Sequence, residues 1–350
     1  MSGTRKVLAA DGAGQISVIE ESLPVAGPGE VLVRVSASMI SPGTELGGVS
    51  RRRDNPSDAP PKPFGYSNAG VVEALGDGVT RLEVGQRVAC MGGGYAQHAT
   101  HGCVPQNMAV PIPDTVSDAD AASIHLVATS LNAVRRLDPE IAEYIAVVGL
   151  GLVGNFATQW ARIAGCYAAA LDRLPMRLEK AEVCGAHLCV DPTSDAGVAA
   201  VKAFTRERGL DGAIMAFGGD GTPAFKTLVS LIKRAPDTHQ MGRVVIVGGA
   251  RIDHTFAASL GNLDVRSAAR TGPGYHDEAW ELGQDYPPVF VQWNTNRNME
   301  TCLDFIGRGL MTVEPLITHR VPLSDAPEAC ESLIRTPNEA LGVVILPQDN

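Results

Sequence analysis

The tightest constraint on the fold is AVVGLGLVG at residues 146–154, where an apolar strand pattern runs into Gly149, Gly151 and Gly154 and then into the helical pattern NFATQWARIA. A GxGxxG spacing alone is weak evidence, but between a buried strand and a helix it predicts a turn that cradles phosphate. Gly149 permits the tight turn, Gly151 lets the backbone approach a pyrophosphate, and Gly154 lets the helix pack on its strand. The helix N-terminus then offers free N–H groups and a positive dipole end.

The text on either side fits this motif. YIAVVGL, AAALD, HLCVD, DGAIMAF and RVVIVGG read as apolar strands separated by helical stretches such as MRLEKAEVC and VAAVKAFTRERG. Such alternation implies an α/β, doubly wound parallel sheet covered by helices on both faces. The second strand ends at Asp172, near the ~20-residue spacing at which a carboxylate meets ribose hydroxyls. Asp172 therefore favours NAD over NADP, while the neighbouring Arg173 could accommodate a phosphate. The expected cofactor contacts also include Leu150, Leu152, Val153 and Arg177, with Val247 and Gly248 at the end of RVVIVGG.

A chain of 350 residues exceeds one ordinary core, so two domains are expected. Before residue 118, VLVRVSAS, AGVVEAL and QRVAC are short β runs between GPGE, GDGV and MGGG turns, the pattern of a small antiparallel barrel. From Ser117, SDADAASIHLVATSLNAVRR keeps helical spacing and reads as one long helix. After residue 265 a Gly/Pro/Tyr-rich stretch precedes a helix near 298–309 and two terminal strands.

The formal charge of −10 carries no basic stripe, which excludes nucleic acid as an expected partner. No signal-peptide core and no ~20-residue apolar run appears, so a cytoplasmic protein with no membrane partner is expected. The seven cysteines include no CxxC and read as reduced thiols.

The order of elements, GVVEALGDGVTRLEVGQRV, the YAQHA segment and EPLITHRVPLSDAPEA together resemble the medium-chain dehydrogenase/reductase superfamily across essentially the whole chain. The resemblance implies a Rossmann dinucleotide-binding domain at 121–292 and a GroES-like catalytic domain made of 1–120 and 293–350, with the active site in the cleft between them. It also implies a homodimer or dimer-based tetramer joined near Leu263 to Ala268. Zinc-dependent members carry Cys-Gly-Thr-Asp and Gly-His-Glu motifs and a further ligand on the helix entering the coenzyme domain. Here the matching text is Pro42-Gly43-Thr44-Glu45 and Gly65-Tyr66-Ser67, and on the helix His125. No set of three ligands remains, and the structural-zinc cysteines are missing too, so no metal is expected.

Without a metal, the residues standing where ligands stood become candidates for the proton. Tyr66 could donate to an alkoxide, His125 could titrate near neutral pH, and Thr44 could relay. Glu45 is a candidate to orient its neighbours or meet substrate, and Tyr275, Tyr286 and Trp293 offer rings for recognition of a small molecule. ISPGTE, FGYSNAG and the TGPGY…DYPP…W stretch resemble a narrower branch linked to sugar-oxidoreductase-like domains, which suggests a sugar or cyclitol substrate. Two alternatives stay open: a zinc-free quinone or enone reductase of the zeta-crystallin type, and a non-catalytic nucleotide-binding protein.

Overall fold

In the computed structural model, which describes residues 3–255 and 259–348, the chain gathers into two compact units, Met1–Ala128 with Thr271–Asn350, and Thr129–Arg270. The segment 271–292, expected with the coenzyme domain, packs within the first unit. Its contacts explain this: Gly93 N–H donates to the Tyr275 hydroxyl at 2.7 Å, the Tyr95 hydroxyl donates to Glu281 at 2.8 Å, and the Asn107 amide donates to the Trp280 carbonyl at 2.6 Å.

The first unit opens with β1 (Thr4–Ala10), β2 (Ile16–Ser22), β3 (Glu30–Met39), the helix α1 (Gly47–Asp54), β4 (Lys62–Pro63), β5 (Ser67–Leu75), β6 (Arg87–Met91), β7 (His101–Pro105) and β8 (Ala109–Pro111). The chain then forms α2 (Asp118–Ala121) and α3 (Ile124–Leu137). The single long helix expected from Ser117 is thus two helices. Ser117 does cap the first, accepting from Asp120 N–H at 3.1 Å. At the break, Ser67 Oγ donates to the Ala122 carbonyl at 2.7 Å and accepts from His125 N–H at 3.1 Å. One hydroxyl from β5 therefore satisfies a helix end and a helix start, which local spacing could not reveal.

The second unit runs β9 (Tyr144–Val148), α4 (Leu152–Ile163), β10 (Tyr167–Leu171), α5 (Pro175–Val183), β11 (Leu188–Val190), α6 (Asp195–Phe204), β12 (Gly212–Met215), β13 (Gly219–Asp220), α7 (Thr222–Leu231), β14 (Met241–Val247), β15 (Ala250–Arg251) and β16 (Asn262–Ala268). Its six-stranded sheet is parallel, in the order β11-β10-β9-β12-β14-β16. That is the doubly wound order with its switch point beside β9. Every residue of β9 is buried, as both-face coverage requires. Ala146, Val148, Ala169, Leu171, Ala213 and Met215 share a core with Phe225 and Leu228.

The chain returns to the first unit through α8 (Glu278–Glu281), α9 (Thr295–Gly307), β17 (Ile317–Pro322), α10 (Ala326–Arg335) and β18 (Gly342–Leu346). The larger sheet here is ordered β17-β18-β3-β5-β6-β8, with β7 on β3, and its pairs are antiparallel except β17 with β18. Leu8, Ile40 and Leu46 pack against Val343, Ile345, Cys330 and Leu333 in its core. All seven cysteines are thiols, five of them buried. Among the described residues no helix is long and apolar enough to cross a membrane.

Candidate functional site

In the second unit the glycine loop joins β9 to α4. Gly149 sits at φ +88, a left-handed conformation that glycine adopts without penalty, and its N–H donates to the Leu171 carbonyl at 2.9 Å. A Cβ on Gly154 would lie 1.8 Å from the Gly149 carbonyl oxygen, so only glycine lets α4 approach the end of β9. A Cβ on Gly151 would meet nothing within 4 Å, which leaves the open space a pyrophosphate requires. The first N–H groups of α4, from Leu152 onward, have no carbonyl one turn behind them and are available to an anion.

Asp172 follows β10 directly. Its Oδ2 accepts from Leu150 N–H at 2.7 Å, its Oδ1 accepts from Leu174 N–H at 3.0 Å, and Arg177 lies 3.7 Å away. The carboxylate thus both shapes the glycine loop and presents negative charge beside it. Arg173 is exposed. Val247 ends β14, and Gly248 turns there at φ +107. Sequence reasoning missed Asn155, whose fully buried side-chain amide donates to the Leu150 carbonyl at 2.7 Å and staples the loop to α4.

The first unit brings Tyr66, His125 and Tyr275 together as a row of rings. Tyr66 and His125 have centroids 4.1 Å apart, and His125 meets Tyr275 edge to face at 5.8 Å. His125 Nδ1 bonds the Tyr66 backbone carbonyl at 3.2 Å, so Nδ1 is the donor, and the Tyr66 hydroxyl donates to Ser41 Oγ. Thr44, exposed in the wide turn Pro42–Leu46, lies near that hydroxyl and opposes the upward shift of its pKa.

Burial drives two protonation states. Desolvation, reinforced by the nearby Glu45 charge, holds the Tyr66 phenol well above its usual range, so it is a neutral O–H donor. Desolvation lowers His125 to about 4, so the imidazole is neutral near pH 7 and does not titrate there as its residue type suggested. Because folding favours the neutral ring, the stability it contributes is complete above about pH 6.5 and is lost as pH falls toward about 4. A shift of this size corresponds to about 3 kcal/mol at most. Urea unfolding at pH 7 and pH 4.5 should therefore show a smaller acid loss for His125→Asn than for the wild type; equal losses would remove this cause.

Glu45 lies behind the hydroxyls. Its Oε2 accepts from Ser41 N–H at 2.8 Å and pairs with His98 Nε2 at 3.1 Å, while His98 Nδ1 meets Ser38 Oγ at 2.9 Å. The His98 side chain is fully buried, and Glu45 Oε1 is buried without a hydrogen-bond partner. Glu45 orients the Ser41 segment, and through it the Tyr66 hydroxyl. Ser41, Ser38 and His98 were not singled out from the sequence; His98 stands in the noted YAQHA segment, but its depth is a tertiary fact. Tyr286 and Trp293 are not in the ring row. The Tyr286 hydroxyl donates to Asp277 at 2.6 Å, and Arg297 stacks on Trp293 at 4.1 Å.

The donor set does not suit zinc. Pro42 has no ligating atom, the Tyr66 and Ser67 hydroxyls are engaged within the fold, and His125 Nδ1 is engaged by the Tyr66 carbonyl. Among the described residues no group of three His, Cys, Asp or Glu could hold a metal ion.

One unit with a doubly wound sheet and a glycine-rich turn, and another that is mainly antiparallel β with buried hydroxyls and imidazoles, define a two-domain dehydrogenase architecture. Residues 27–114 match the alcohol dehydrogenase GroES-like domain, and residues 153–282 match the zinc-binding dehydrogenase family. An alcohol dehydrogenase of Geobacillus stearothermophilus is 30% identical over 216 residues, 51% of this chain and 61% of that protein, so the match spans less than two thirds of its length. A sorbitol dehydrogenase of Bacillus subtilis (strain 168) is 25% identical over 365 residues, covering 93% of each chain. Among solved structures, an Escherichia coli oxidoreductase/dehydrogenase of unknown specificity superposes with a TM-score of 0.82 at 19% identity, over 99% of this chain and 100% of the other. The chain belongs to the medium-chain dehydrogenase/reductase superfamily, as an alcohol dehydrogenase-like oxidoreductase.

Proposed function

We propose that this protein is a zinc-independent, NAD(H)-dependent oxidoreductase acting on a secondary alcohol or ketone, with a polyhydroxylated substrate of the sugar or cyclitol class. The observation that carries this reading is the Tyr66 hydroxyl, held by Ser41 and kept neutral by burial at the position where zinc-dependent relatives have a ligating histidine. When bound, the cofactor supplies or accepts the hydride. Tyr66 meets the substrate oxygen. In reduction its O–H gives the proton that turns the incipient alkoxide into a hydroxyl, and Ser41 and Thr44 hydrogen-bond the phenolic oxygen as it becomes negative. In oxidation Tyr66 first passes its own proton to solvent by way of the exposed Thr44 and then, as the phenolate, takes the substrate hydroxyl proton; after reduction the same route reprotonates it. Neutral His125, packed on the Tyr66 ring, keeps water and charge away from the phenol.

Spectrophotometric assay of NADH formation with a panel of secondary alcohols and polyols, and of NADH consumption with ketones and enones, tests this reading. Turnover of alcohols and their ketones is expected; consumption of NADH by enones or quinones alone would contradict it.

The cofactor preference rests on Asp172, whose charge beside the glycine loop would repel a 2′-phosphate. NAD is expected to bind at least about tenfold more tightly than NADP. Asp172→Asn keeps an oxygen for Leu150 N–H and removes the charge, so it should narrow that ratio without unfolding the loop. Equal affinities in the wild type would transfer the decision to Arg173.

A further inference from the structure

We propose that His276 contacts the substrate and selects polyols, its imidazole bonding a hydroxyl next to the reacting carbon. The proposal rests on the alcohol-oxidising reading above. His276 occupies the left-handed region at φ +76, where non-glycine side chains are strained. It is the third residue of the turn Gly274–Asp277, closed by Asp277 N–H on the Gly274 carbonyl at 2.9 Å, and glycine is the usual occupant of a third position with positive φ. The chain nevertheless places an imidazole there.

The surroundings hold that conformation from several sides. A Cβ on Gly274 would fall 2.5 Å from the Trp280 ring, so this residue lies flat on the indole face. The Tyr275 hydroxyl is bound by Gly93 N–H. His276 N–H donates to Glu281 Oε1 at 2.8 Å, and the other oxygen of that carboxylate takes the Tyr95 hydroxyl at 2.8 Å. Glu281 is only 3% exposed, and burying a carboxylate is costly unless its bonds are well used. One of them orients His276. Backbone strain maintained by over-determined surroundings is characteristic of sites where a side chain must point in one direction.

The direction is toward the ring row. The exposed imidazole stacks on Tyr275 with centroids 3.9 Å apart and planes at 21°, and it lies within electrostatic range of His125. The stacking leaves the outer face and edge of the His276 ring open to solvent, and an imidazole edge both donates to and accepts from hydroxyls. A monoalcohol has no second hydroxyl to use it.

His276→Gly is the informative variant, because glycine suits φ +76 and the fold should be retained or stabilised. With NAD, the ratio of kcat/KM for sorbitol or myo-inositol to that for 2-butanol should fall by about 10² or more in His276→Gly, with the 2-butanol value changed little and Tm not lowered. An unchanged ratio in both His276→Gly and His276→Ala would overturn the proposal. If the wild type oxidises no alcohol, it is the activity reading that fails, and His276 is then judged by calorimetry of the same polyols on the NADH-loaded protein. Binding by the wild type and not by His276→Gly supports the contact; equal binding, or none by the wild type, overturns it.

Discussion

Tyr66→Phe is expected to lower kcat by about 10² to 10³ in both directions while leaving NADH affinity and Tm close to the wild-type values. The substitution removes one oxygen and keeps the ring that packs on His125. What is lost is the hydroxyl donating to Ser41, the neutral acid that burial and the Glu45 charge maintain. Loss of a general acid typically costs this much in rate, whereas loss of a packing contact shows mainly in stability. The comparison is made with single-turnover measurements, so that cofactor release does not hide the chemical step. A variant with full single-turnover activity would make Tyr66 a filler of the position and move the acid elsewhere in the ring row.

The second large effect separates two glycines of one motif. In Gly154→Ala the new methyl would stand 1.8 Å from the Gly149 carbonyl oxygen, backbone against side chain with neither able to yield. Helix α4 must then move off β9, and a loss of more than about 3 kcal/mol in stability is expected together with loss of NADH binding. Gly151→Ala meets nothing within 4 Å and sits at φ −63, compatible with alanine. It should fold as well as the wild type or slightly better, yet bind NADH at least about tenfold more weakly, because its methyl enters the space the pyrophosphate would use. Thermal unfolding and NADH fluorescence titration of the pair measure both quantities. Equal behaviour of the two variants would mean that the loop does not approach a phosphate.

The second unit was legible because its signals are local. Apolar runs, a three-glycine turn and a carboxylate at the next strand end are all read within about thirty residues, and each proved to have the expected place. The first unit was legible in outline only. Tyr66, His125 and Tyr275 were named from residue type and motif position, and the fold does gather them, but their bonds depend on partners far along the chain. His125 lost its neutral-pH titration to burial, which sequence does not display. The helix break at Ala122 depends on a serine 55 residues earlier. His98 and Glu281 matter because they are buried carriers of hydrogen bonds, and His276 because of a backbone angle; none of these leaves a pattern in the sequence.

The central claim is that side chains, and no metal, handle the substrate proton. It is tested most directly by measuring the zinc content and the turnover of one purified, catalytically active sample before and after dialysis against a chelator. The account predicts zinc well below about one per chain and unchanged kcat after chelation, as expected where the described residues hold no three-ligand set of His, Cys, Asp or Glu. About one zinc per chain that survives dialysis against buffer, with activity lost on chelation and restored by zinc, would contradict it.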